Sequence, residues 1–534
     1  MSFHFGANDP LQDKGIDCGT CRGFDAFGLY CACTHGDDCK DALKAASASL
    51  GMNGRTNSGK RRKTYNTTDL GNAEFFADEY GDDLRYVSEW KSWIIWDGRR
   101  WQTDGRGRVN RLAYKLVKSR MADHAKEIDD GRKRSDYYKH IASSQSRSRI
   151  ENMIALAAPM LCVAAADLDS NPWLFNCANG TIDLETGTVH SHDRDDLLTK
   201  LSPVEFDADA ECPLWDKFLR RIFSDRRTEQ PRLDLIAFIQ RSAGYSLTGS
   251  VSSHGLWILH GAGANGKTTL MNAMQHVMGD YAIAAQQSLL MADSRFKSKS
   301  GDEADLLGVR LAVCSETDEG QRFAESKIKR ITGGSKIRDR RLYENSFEFE
   351  PTHKIWLDCN HKPKIKGTDY AIKRRIMFVP FEVTIREAER DEQLGEKLKA
   401  EASGILNWML AGLREWQDGG LRPPPVVLQA VDEYMIENDL VGQFLAEKTT
   451  ACSNARLSVD GLYREYKSWC DDNGMDHAMT KIAFGKTMTD RGNDKKKSGS
   501  WYWIDLELVS EGGDGGDSAE DENDPAYAEL FKSN

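Results

Sequence analysis

Four short apolar runs, bounded by glycine-rich or charged turns, dominate the middle of the chain. They cover residues 256–260, 311–314, 354–358 and 376–381. Runs of this length that are apolar at nearly every position are typical of strands buried on both faces of a parallel sheet. Residues 269–278 follow the first run and carry helix formers with apolar positions at helical spacing. The pattern therefore predicts an α/β core over residues 226–385.

The segments on either side of this core have different patterns. Residues 67–225 read as a mixed α/β module in which Asp97-Gly98 is a hairpin signal among four tryptophans. Core packing in a small sheet explains these indoles better than stacking on nucleic-acid bases. Residues 386–445 are helical in pattern, with a break at Arg422-Pro-Pro-Pro425, and residues 446–508 read as a compact unit of helices followed by strands. The four tryptophans are Trp90, Trp93, Trp96 and Trp101.

Both ends of the chain are predicted to lie outside the packed domains. Residues 1–45 are cysteine-rich, and residues 46–66 form a linker with a basic run that serves either as a solvated tether or as a DNA contact. Residues 509–534 hold eight acidic residues and one lysine, a composition that predicts a disordered acidic tail. The tail supplies most of the net charge of −11 and leaves −4 for the rest. Global charge therefore does not exclude a polyanionic partner.

The N-terminal segment contains five of the twelve cysteines together with His35. Tetrahedral zinc sites use thiolate and imidazole ligands, and Cys18, Cys21, Cys33 and Cys39 are the candidate Zn²⁺ ligands. The spacing fits no standard zinc finger, so a cysteine-rich segment that binds no metal is the alternative. Disulfides are not expected, because they are rare in the cytosol.

The composition is that of an ordinary soluble protein. Of the 534 residues, 40% are hydrophobic and 29% are charged, and no apolar run approaches the ~18 residues of a membrane-spanning helix. The first residues lack the basic and apolar parts of a signal peptide. We therefore expect several domains, no membrane partner and a cytoplasmic location.

The pattern G-x-x-x-x-G-K-[ST] lies between the first apolar run and the helix that follows it. Strand, glycine-rich turn and helix form the setting of a phosphate-binding loop. Backbone N–H groups of such a loop surround the phosphates, and the helix N-terminus favours their negative charge. Lys267 is predicted to reach the β- and γ-phosphates and Thr268 to hold Mg²⁺, so ATP and Mg²⁺ are the expected cofactors. The predicted nucleotide-binding residues are Gly261, Ala262, Gly263, Ala264, Asn265, Gly266, Lys267, Thr268 and Thr269.

Polar side chains adjoin the other three apolar runs. Glu316 follows the second run and is the candidate for polarising the attacking water and for contacting Mg²⁺. Asn360 follows the third run and suits a hydrogen bond to the γ-phosphate or to that water. Arg374 and Arg375 precede the fourth run, where they act either as an arginine finger toward a neighbouring subunit or as plain surface cations. These four residues and Lys267 form the predicted catalytic set.

The densest basic segment of the core lies between the second and third runs. Lys336, Arg338 and Arg340 alternate along it after Gly333-Gly334, and Lys329 precedes them. In a strand, alternate side chains share one side. Such a face follows the phosphates of single-stranded DNA, whereas the alternative is an edge strand that charge keeps in solvent.

Residues 480–504 carry a separate indication of DNA binding. A helix-like stretch over 480–488 is followed by a basic turn over 491–497 and a strand over 501–504. Helix, basic turn and strand suit a module that binds duplex DNA. The alternative is a packing domain with a solvated basic loop.

In this order and spacing, the motifs resemble those of superfamily 3 helicases, and more narrowly those of the phage, plasmid and poxvirus primase-helicases. The resemblance covers residues 70–508 and implies an AAA+-type P-loop ATPase core between an N-terminal mixed α/β module, called the helicase-associated domain, and a C-terminal winged-helix domain. The similar segments are residues 171–180, 212–215 and 244–249, then 261–268, 310–316, 329–334, 347–351, 359–360 and 374–381, and finally 462–469, 484–485 and 501–504.

The resemblance also implies how the site acts. ATP lies between subunits of a homohexameric ring, with Glu316 catalytic, Asn360 a sensor and Arg374 or Arg375 the finger. The basic segment then lies in the central channel, draws single-stranded DNA and separates the duplex with 3′→5′ polarity in phage or plasmid replication. Other replication proteins are candidate partners.

Two departures from the family pattern affect these implications. Ser335 stands where many relatives carry Asp, which affects the geometry of the basic segment. Ser315, rather than a second carboxylate, precedes Glu316, so that Mg²⁺ is expected to rest on Thr268, phosphates and water.

Three other functions stay open beside a replicative DNA helicase. A primase-helicase needs paired metal-binding carboxylates in a domain of its own, and Asp167-Leu-Asp169, the first Asp-x-Asp of the chain, reads as a loop. An origin-binding initiator uses ATP for assembly without unwinding. A small-molecule P-loop kinase fits poorly with the length of the chain and its basic segment.

Overall fold

The computed structural model of the protein describes residues 64–292, 301–315, 320–340, 346–365, 370–474 and 478–509. One unit ends at Asn72 and a second runs from Ala73 to Asn534. The predicted cysteine-rich segment, nearly all of the linker, Glu316 and the acidic tail after residue 509 lie outside the described residues. So do the candidate zinc ligands Cys18, Cys21, Cys33 and Cys39.

A small sheet comes first, with the strand order β3-β2-β1-β4. Trp96 and Trp101 oppose each other across the β2–β3 hairpin and are 8% and 1% exposed, which confirms that they pack in a core. The hairpin turns at Asp97-Gly98 as predicted, because Asp97 Oδ1 accepts two backbone N–H groups and Gly98 has φ 102°. The elements are helix α1 (Asp69–Tyr80) and strands β1 (Leu84–Val87), β2 (Ser92–Trp96), β3 (Trp101–Thr103) and β4 (Cys162–Val163).

Four helices lie between β3 and β4. A π-helical turn, Leu116–Arg120, joins the first two of them. Val109, Ala113 and Leu116 are buried at helical spacing, and the first helix packs on the fourth. The helices are α2 (Arg108–Lys115), α3 (Met121–Lys126), α4 (Gly131–Ser144) and α5 (Arg147–Ala157).

An antiparallel meander and two helices lead to the central sheet. The strands are β5 (Leu174–Cys177), β6 (Gly180–Asp183) and β7 (Val189–His190), and the helices are α6 (Pro213–Ile222) and α7 (Leu233–Leu247). Asp169 lies in the loop before β5, where its carboxylate accepts the backbone N–H of Thr199 at 2.7 Å and also the Thr199 hydroxyl. Asp169 therefore holds two loops together, in keeping with the loop interpretation of 167–169.

The central sheet has five strands in the order β14-β8-β13-β10-β9, and every neighbouring pair is parallel. The four apolar runs form β8, β10, β13 and β14, whereas the edge strand β9 is short and rich in alanine and was not predicted. The elements in chain order are β8 (Leu256–His260), α8 (Lys267–Met278), β9 (Ala282–Ala285), β10 (Leu311–Ser315), α9 (Glu325–Ile331), β11 (Ile337–Asp339), β12 (Phe347–Phe349), β13 (Lys354–Cys359), α10 (Tyr370–Lys373) and β14 (Ile376–Pro380).

Both faces of this sheet are buried, which explains why its strands read as continuous apolar runs. Along β8, Trp257 and Leu259 pack in one core cluster with α6, α7 and α8. Leu256 and Ile258 pack in a second cluster on the opposite face. The carboxyl ends of the strands are thereby held at one edge of a rigid layer.

Two buried cations anchor the opposite edge of the sheet. Arg310, just before β10, donates to the carbonyls of Leu247 (2.6 Å) and Leu174 (2.7 Å) and lies over the Tyr281 ring. Lys354, the first residue of β13, donates to the carbonyls of Ser250 (3.1 Å), Thr352 (3.2 Å) and Thr248. Burial lowers the pKa of both groups. Both cations therefore bind carbonyls at or just beyond the C-terminal end of α7, where a positive charge interacts favourably with the helix dipole.

A two-stranded antiparallel sheet, β11–β12, projects from the segment between α9 and β13. Ile337 is fully buried, whereas Lys336, Arg338 and Arg340 are exposed. The predicted alternation is therefore present. We call residues 336–340 and 346–349 the basic hairpin.

Three helices follow the central sheet. They are α11 (Leu394–Ala400), α12 (Ala402–Gly419) and α13 (Pro425–Glu437), and the proline break separates the last two as predicted. Helix α12 packs closely on α7, because a Cβ at Gly412 would collide with the carbonyl of Gln240. No helix of the described residues combines the length and apolar character needed to cross a bilayer.

The C-terminal region has its own core around Phe444, Tyr466, Phe484 and Trp503. A three-stranded antiparallel sheet has the order β15-β17-β16. The elements are α14 (Leu440–Lys448), β15 (Thr449–Ser458), α15 (Val459–Asp472), α16 (Lys481–Asp490), β16 (Lys495–Ser498) and β17 (Ser500–Leu508).

The predicted basic turn over 491–497 is wrong in its second half. Lys495, Lys496 and Lys497 form a strand, and the chain reverses at Gly499 with φ 69°. Lysines have little strand propensity of their own, so pairing with the aromatic strand β17 supplies this structure. Strand β15 was not predicted either.

Candidate active site

The glycine-rich loop over residues 261–268 joins the end of β8 to the start of α8. A Cβ at Gly261 would collide with the carbonyl of Phe381, and Gly266 caps the helix with φ 87°. Ala264 also has a positive φ, 58°. The loop therefore holds a tight left-handed path that requires glycine at 266 and a missing side chain at 261.

Lys267 lies inside this loop and is 3% exposed. Its Nζ donates to the Gly261 carbonyl at 2.8 Å, to Asn265 Oδ1 at 3.2 Å and to Asn360 Oδ1 at 3.1 Å. Burial lowers the pKa of the Lys267 ammonium, and the charge of Asp358 opposes that shift. The structure thus brings Lys267 and Asn360 together, although 93 residues separate them.

Asp358 is the residue that the sequence analysis missed. Thr268 Oγ1 donates to its Oδ2 at 2.9 Å, and its Oδ1 lies 3.7 Å from Lys267 Nζ. The carboxylate is placed there because β13 pairs directly with β8, so that Asp358 stands level with Leu259. The available signal was a single acidic residue in an apolar run, but its importance depends on which strands are neighbours.

Strand β10 lies one position further from the loop. Ser315 is its last residue and stands in register with Asp358 on β13. Glu316 comes next in the sequence and lies outside the described residues, so its predicted role stays a prediction. Among the described residues at this edge, Asp358 is the carboxylate in contact with the loop.

The oxygen atoms at the loop suit Mg²⁺. This ion prefers carboxylate, hydroxyl and phosphate oxygens and is usually held through one or two carboxylates together with a nucleotide. Thr268 Oγ1 and Asp358 Oδ2 offer such donors at the start of α8. In the described ranges, no group of three or more His, Cys, Asp and Glu side chains is placed to hold a metal ion by itself.

The two candidate finger arginines have different environments. Arg375 is 8% exposed, and its guanidinium donates to Thr332 Oγ1 at 3.2 Å and to the Ala371 carbonyl at 2.6 Å. Arg374 is exposed on the other side of the chain. Arg375 thus serves the fold, and Arg374 has the freedom that contact with a second molecule requires.

The cations of the basic hairpin are at the surface, and Lys336 and Arg338 have weak local partners. Lys336 lies 3.8 Å from Glu350, and both side chains are mostly exposed. Arg338 donates to Ser346 Oγ at 3.3 Å. Lys329 lies on α9, half-buried and apart from the exposed strand.

A second basic surface lies in the C-terminal region. Lys495, Lys496 and Lys497 are exposed on β16, and the indole of Trp501 opposite them is 49% exposed. Lys495 Nζ lies 5.6 Å from the centre of the Trp501 ring. Helix α16 exposes Lys486, and Ile482 on the same helix is 88% exposed.

Three family models match successive parts of the chain. The model described as D5 N terminal like matches residues 73–224, a family of unknown function (DUF5906) matches residues 259–375, and the model described as Poxvirus D5 protein-like matches residues 436–505. The first and third models are both of D5 type, and they match on either side of the central sheet.

Similar curated proteins come from large DNA viruses. "Putative helicase L207/L206" of Acanthamoeba polyphaga mimivirus is 29% identical over 331 residues, which is 58% of this chain and 34% of that protein. "Putative primase C962R" of African swine fever virus (strain Badajoz 1971 Vero-adapted) is 26% identical over 217 residues, which is 39% of this chain and 22% of that protein. The match thus spans about a third or less of the length of these relatives.

A solved structure, the C-terminal region (305–718) of NrS-1, is 12% identical, covers 83% of this chain and 100% of that chain, and has a TM-score of 0.47. The D5-type matches at both ends of the chain and the viral helicase and primase relatives agree with the resemblance seen in the motifs. The chain belongs to the phage and poxvirus family of primase-helicases.

Proposed function

We propose that the chain is an ATP-dependent DNA helicase that forms a ring and moves 3′→5′ in phage or plasmid replication. The observation that carries this proposal is the cluster of Lys267, Thr268, Asp358 and Asn360 at the carboxyl edge of a parallel sheet. Nucleotides bind at this edge in parallel α/β folds. The strand order, with β13 between the loop strand and β10, suits an AAA+-type P-loop ATPase.

In this proposal Lys267 exchanges its carbonyl and amide partners for β- and γ-phosphate oxygens. Three oxygen acceptors hold its ammonium at 2.8–3.2 Å, so the exchange replaces neutral partners by charged ones. Thr268 and Asp358 would hold Mg²⁺, which when bound neutralises phosphate charge and orients the nucleotide. Asp358 thereby supplies the carboxylate that Ser315 does not.

The remaining catalytic roles follow the family pattern. Glu316 polarises the attacking water, and Asn360, which accepts a hydrogen bond from Lys267, acts as the sensor of the γ-phosphate. Arg374, which is exposed, reaches the γ-phosphate of a neighbouring subunit in a homohexamer, where an arginine finger adds ~10³–10⁵ in rate. Arg375 keeps the segment before β14 in place.

The basic hairpin is proposed to bind the DNA on which ATP hydrolysis acts. Lys336, Arg338 and Arg340 present alternate cations on one side of β11, with Ile337 fixed in the core on the other. Cations spaced in this way follow a phosphate backbone without reading its sequence. The hairpin is accordingly proposed to bind single-stranded DNA in the channel of the ring.

The C-terminal region is proposed to bind duplex DNA as a winged helix. Its order of helix, strand, two helices and a two-stranded hairpin suits that fold, in which α16 enters the major groove and β16–β17 is the wing. This region also favours a second candidate function, an origin-binding initiator that uses ATP for assembly. The two functions differ in whether the isolated protein unwinds DNA.

The experiment that tests the proposal is strand displacement on forked duplexes with ATP and Mg²⁺. Wild-type protein is compared with Lys267→Ala and with Lys399→Ala, an exposed lysine that pairs with Glu396. We expect unwinding of the fork with a 3′ tail by the wild type and the control, and none by Lys267→Ala. Hydrolysis stimulated by DNA without unwinding would favour the initiator, and absence of both would refute an ATP-driven role on DNA.

A second variant tests the hairpin. Replacing Lys336, Arg338 and Arg340 by Ala should leave basal hydrolysis intact and remove its stimulation by single-stranded DNA, because these cations lie on or beside β11 and are not among the residues clustered around Lys267. A matched control removes the exposed, ion-paired Lys397 and Lys399. Unchanged stimulation in the hairpin variant would refute the assignment, and a small-molecule kinase would show no stimulation in any variant.

A further inference from the structure

The N-terminal module carries a basic surface that none of the proposed activities uses. Between Gly105 and Ala122 the chain has six cations and no acidic residue. The chain as a whole has more Asp and Glu than Lys and Arg, so a stretch of this length with no acid is unusual for it. The six cations are Arg106, Arg108, Arg111, Lys115, Lys118 and Arg120.

The fold turns these cations outward. Helix α2 and the π-helical turn after it bury Val109, Ala113, Leu116 and Val117, which fixes the helix on the module. The other side exposes Arg108, Arg111, Lys115 and Lys118, and we call these four the α2 basic face. Arg120 is paired with Glu79 at 2.9 Å and is left out.

Neighbouring cations of the same module have acidic partners close by, unlike the four cations of the α2 basic face. Lys126 pairs with Asp123 at 2.9 Å and Lys139 with Asp136 at 2.9 Å, each three residues apart on a helix. Lys133 acts electrostatically on Asp130, also three residues away. By contrast, within the described residues no carboxylate lies at ion-pair distance from the α2 basic face.

An aromatic side chain lies among the cations. Tyr114 is 49% exposed on α2, next to Lys115. Arg111 and Lys118 are seven residues apart, so the part of the face from Arg111 to Lys118 extends about 10 Å along the helix at ~1.5 Å per residue. That length accommodates a few consecutive phosphates, with an exposed ring beside them.

We propose that the α2 basic face binds single-stranded nucleic acid, with phosphates on Arg111, Lys115 and Lys118 and a base on the ring of Tyr114. Cations that follow a backbone, together with an aromatic ring that stacks on bases, are the elements of single-strand binding. This contact is separate from the basic hairpin and requires no nucleotide. The N-terminal module therefore stays bound to the strand at every stage of ATP hydrolysis.

The test measures binding of fluorescein-labelled dT20 to the full chain by anisotropy, without nucleotide, from 50 to 300 mM KCl. Arg111→Gln/Lys115→Gln/Lys118→Gln is compared with Lys126→Gln/Lys133→Gln/Lys139→Gln, which removes the same charge from cations that have acidic partners. Each lost phosphate contact lowers the salt slope by ~0.7, so three lower it by about 2. We expect at least a tenfold loss of affinity at 100 mM KCl in the first variant and less than a twofold loss in the second.

Variants of Tyr114 test whether the ligand of the α2 basic face is a nucleic acid or an acidic protein segment. Tyr114→Ala should weaken dT20 binding about fivefold or more, whereas Tyr114→Phe keeps the stacking ring and the affinity. Equal losses in both triple variants would overturn the proposal. So would full affinity in Tyr114→Ala combined with displacement of dT20 by poly-glutamate at equal charge, because that result identifies a general polyanion surface.

A measurement on the wild-type protein tests the proposal even if the variants fold poorly. Hydrogen–deuterium exchange should show protection of residues 108–120 on addition of dT20, and absence of protection there would overturn the proposal. Lys267→Ala should bind dT20 like the wild type. If the wild-type protein binds dT20 but does not unwind the fork, that result counts against the proposed function and leaves this inference standing.

Discussion

Acidification should weaken the fold through His353. This histidine precedes β13 and is 3% exposed, with its Nε2 2.9 Å from the carbonyl of Ile331 at the end of α9. Its Nδ1 is buried without a partner. Burial lowers the pKa of His353 to about 4, and the charge of Lys354 adds to the shift.

The lowered pKa of His353 determines how the free energy of unfolding changes with pH. The unfolded chain takes up a proton at His353 near pH 6.5, whereas the folded protein holds the ring neutral until about pH 4. The contribution to stability is therefore complete above pH 6.5 and is lost as the pH falls toward 4. Between pH 7 and pH 5 the loss amounts to about 2 kcal/mol of the free energy of unfolding.

The assay is urea denaturation of the wild type and His353→Gln at pH 7 and pH 5. Glutamine keeps an N–H for the Ile331 carbonyl and has no charge to gain. Other groups titrate in both proteins, so the difference between the two pH profiles isolates His353. Profiles that run parallel within about 0.5 kcal/mol would refute the reasoning, because His353 would then titrate alike in both states.

Three further predictions concern the site and its support. Asp358→Asn should weaken Mg²⁺-dependent ATP binding about tenfold, the worth of one charged hydrogen bond, and calorimetry with and without EDTA checks this. Arg374→Ala should reduce hydrolysis by the assembled protein ~10³-fold at unchanged melting temperature, whereas Arg375→Ala should cost about 2 kcal/mol of stability; equal thermal shifts would contradict the distinction. Gly412→Ala should destabilise the α7–α12 contact by ~1–3 kcal/mol, while Gly395→Ala, which has open space around it on α11, should not, as thermal denaturation would show.

Local signals were enough to predict four of the five strands of the central sheet and the glycine-rich loop. The run before Gly261, the helix after Thr268 and the charge alternation at 336–340 all depend on neighbours in sequence, and each appears in the structure. The hairpin at Asp97-Gly98 belongs to the same class, because a turn encodes its own geometry.

What the sequence could not provide depends on which strands become neighbours. The Asp358 carboxylate lies beside Lys267 and Thr268 only because β13, and not β10, pairs with β8. Arg310 and Lys354 look like surface cations at strand starts, yet both are buried under carbonyls from distant segments. Strand β16 is hidden for a related reason, since its lysines take their conformation from the aromatic strand beside them.

The two buried cations have a mechanical consequence. Arg310 and Lys354 tie the starts of β10 and β13 to the end of α7 through hydrogen bonds to its carbonyls, and a hydrogen bond from a charged group contributes about 1.5–3 kcal/mol. That junction cannot act as a hinge. Any displacement that begins at the glycine-rich loop is therefore expected to carry the sheet and α7 together, and Arg241 of α7 extends this unit to the end of α12 because it binds the carbonyls of Leu421 and Arg422.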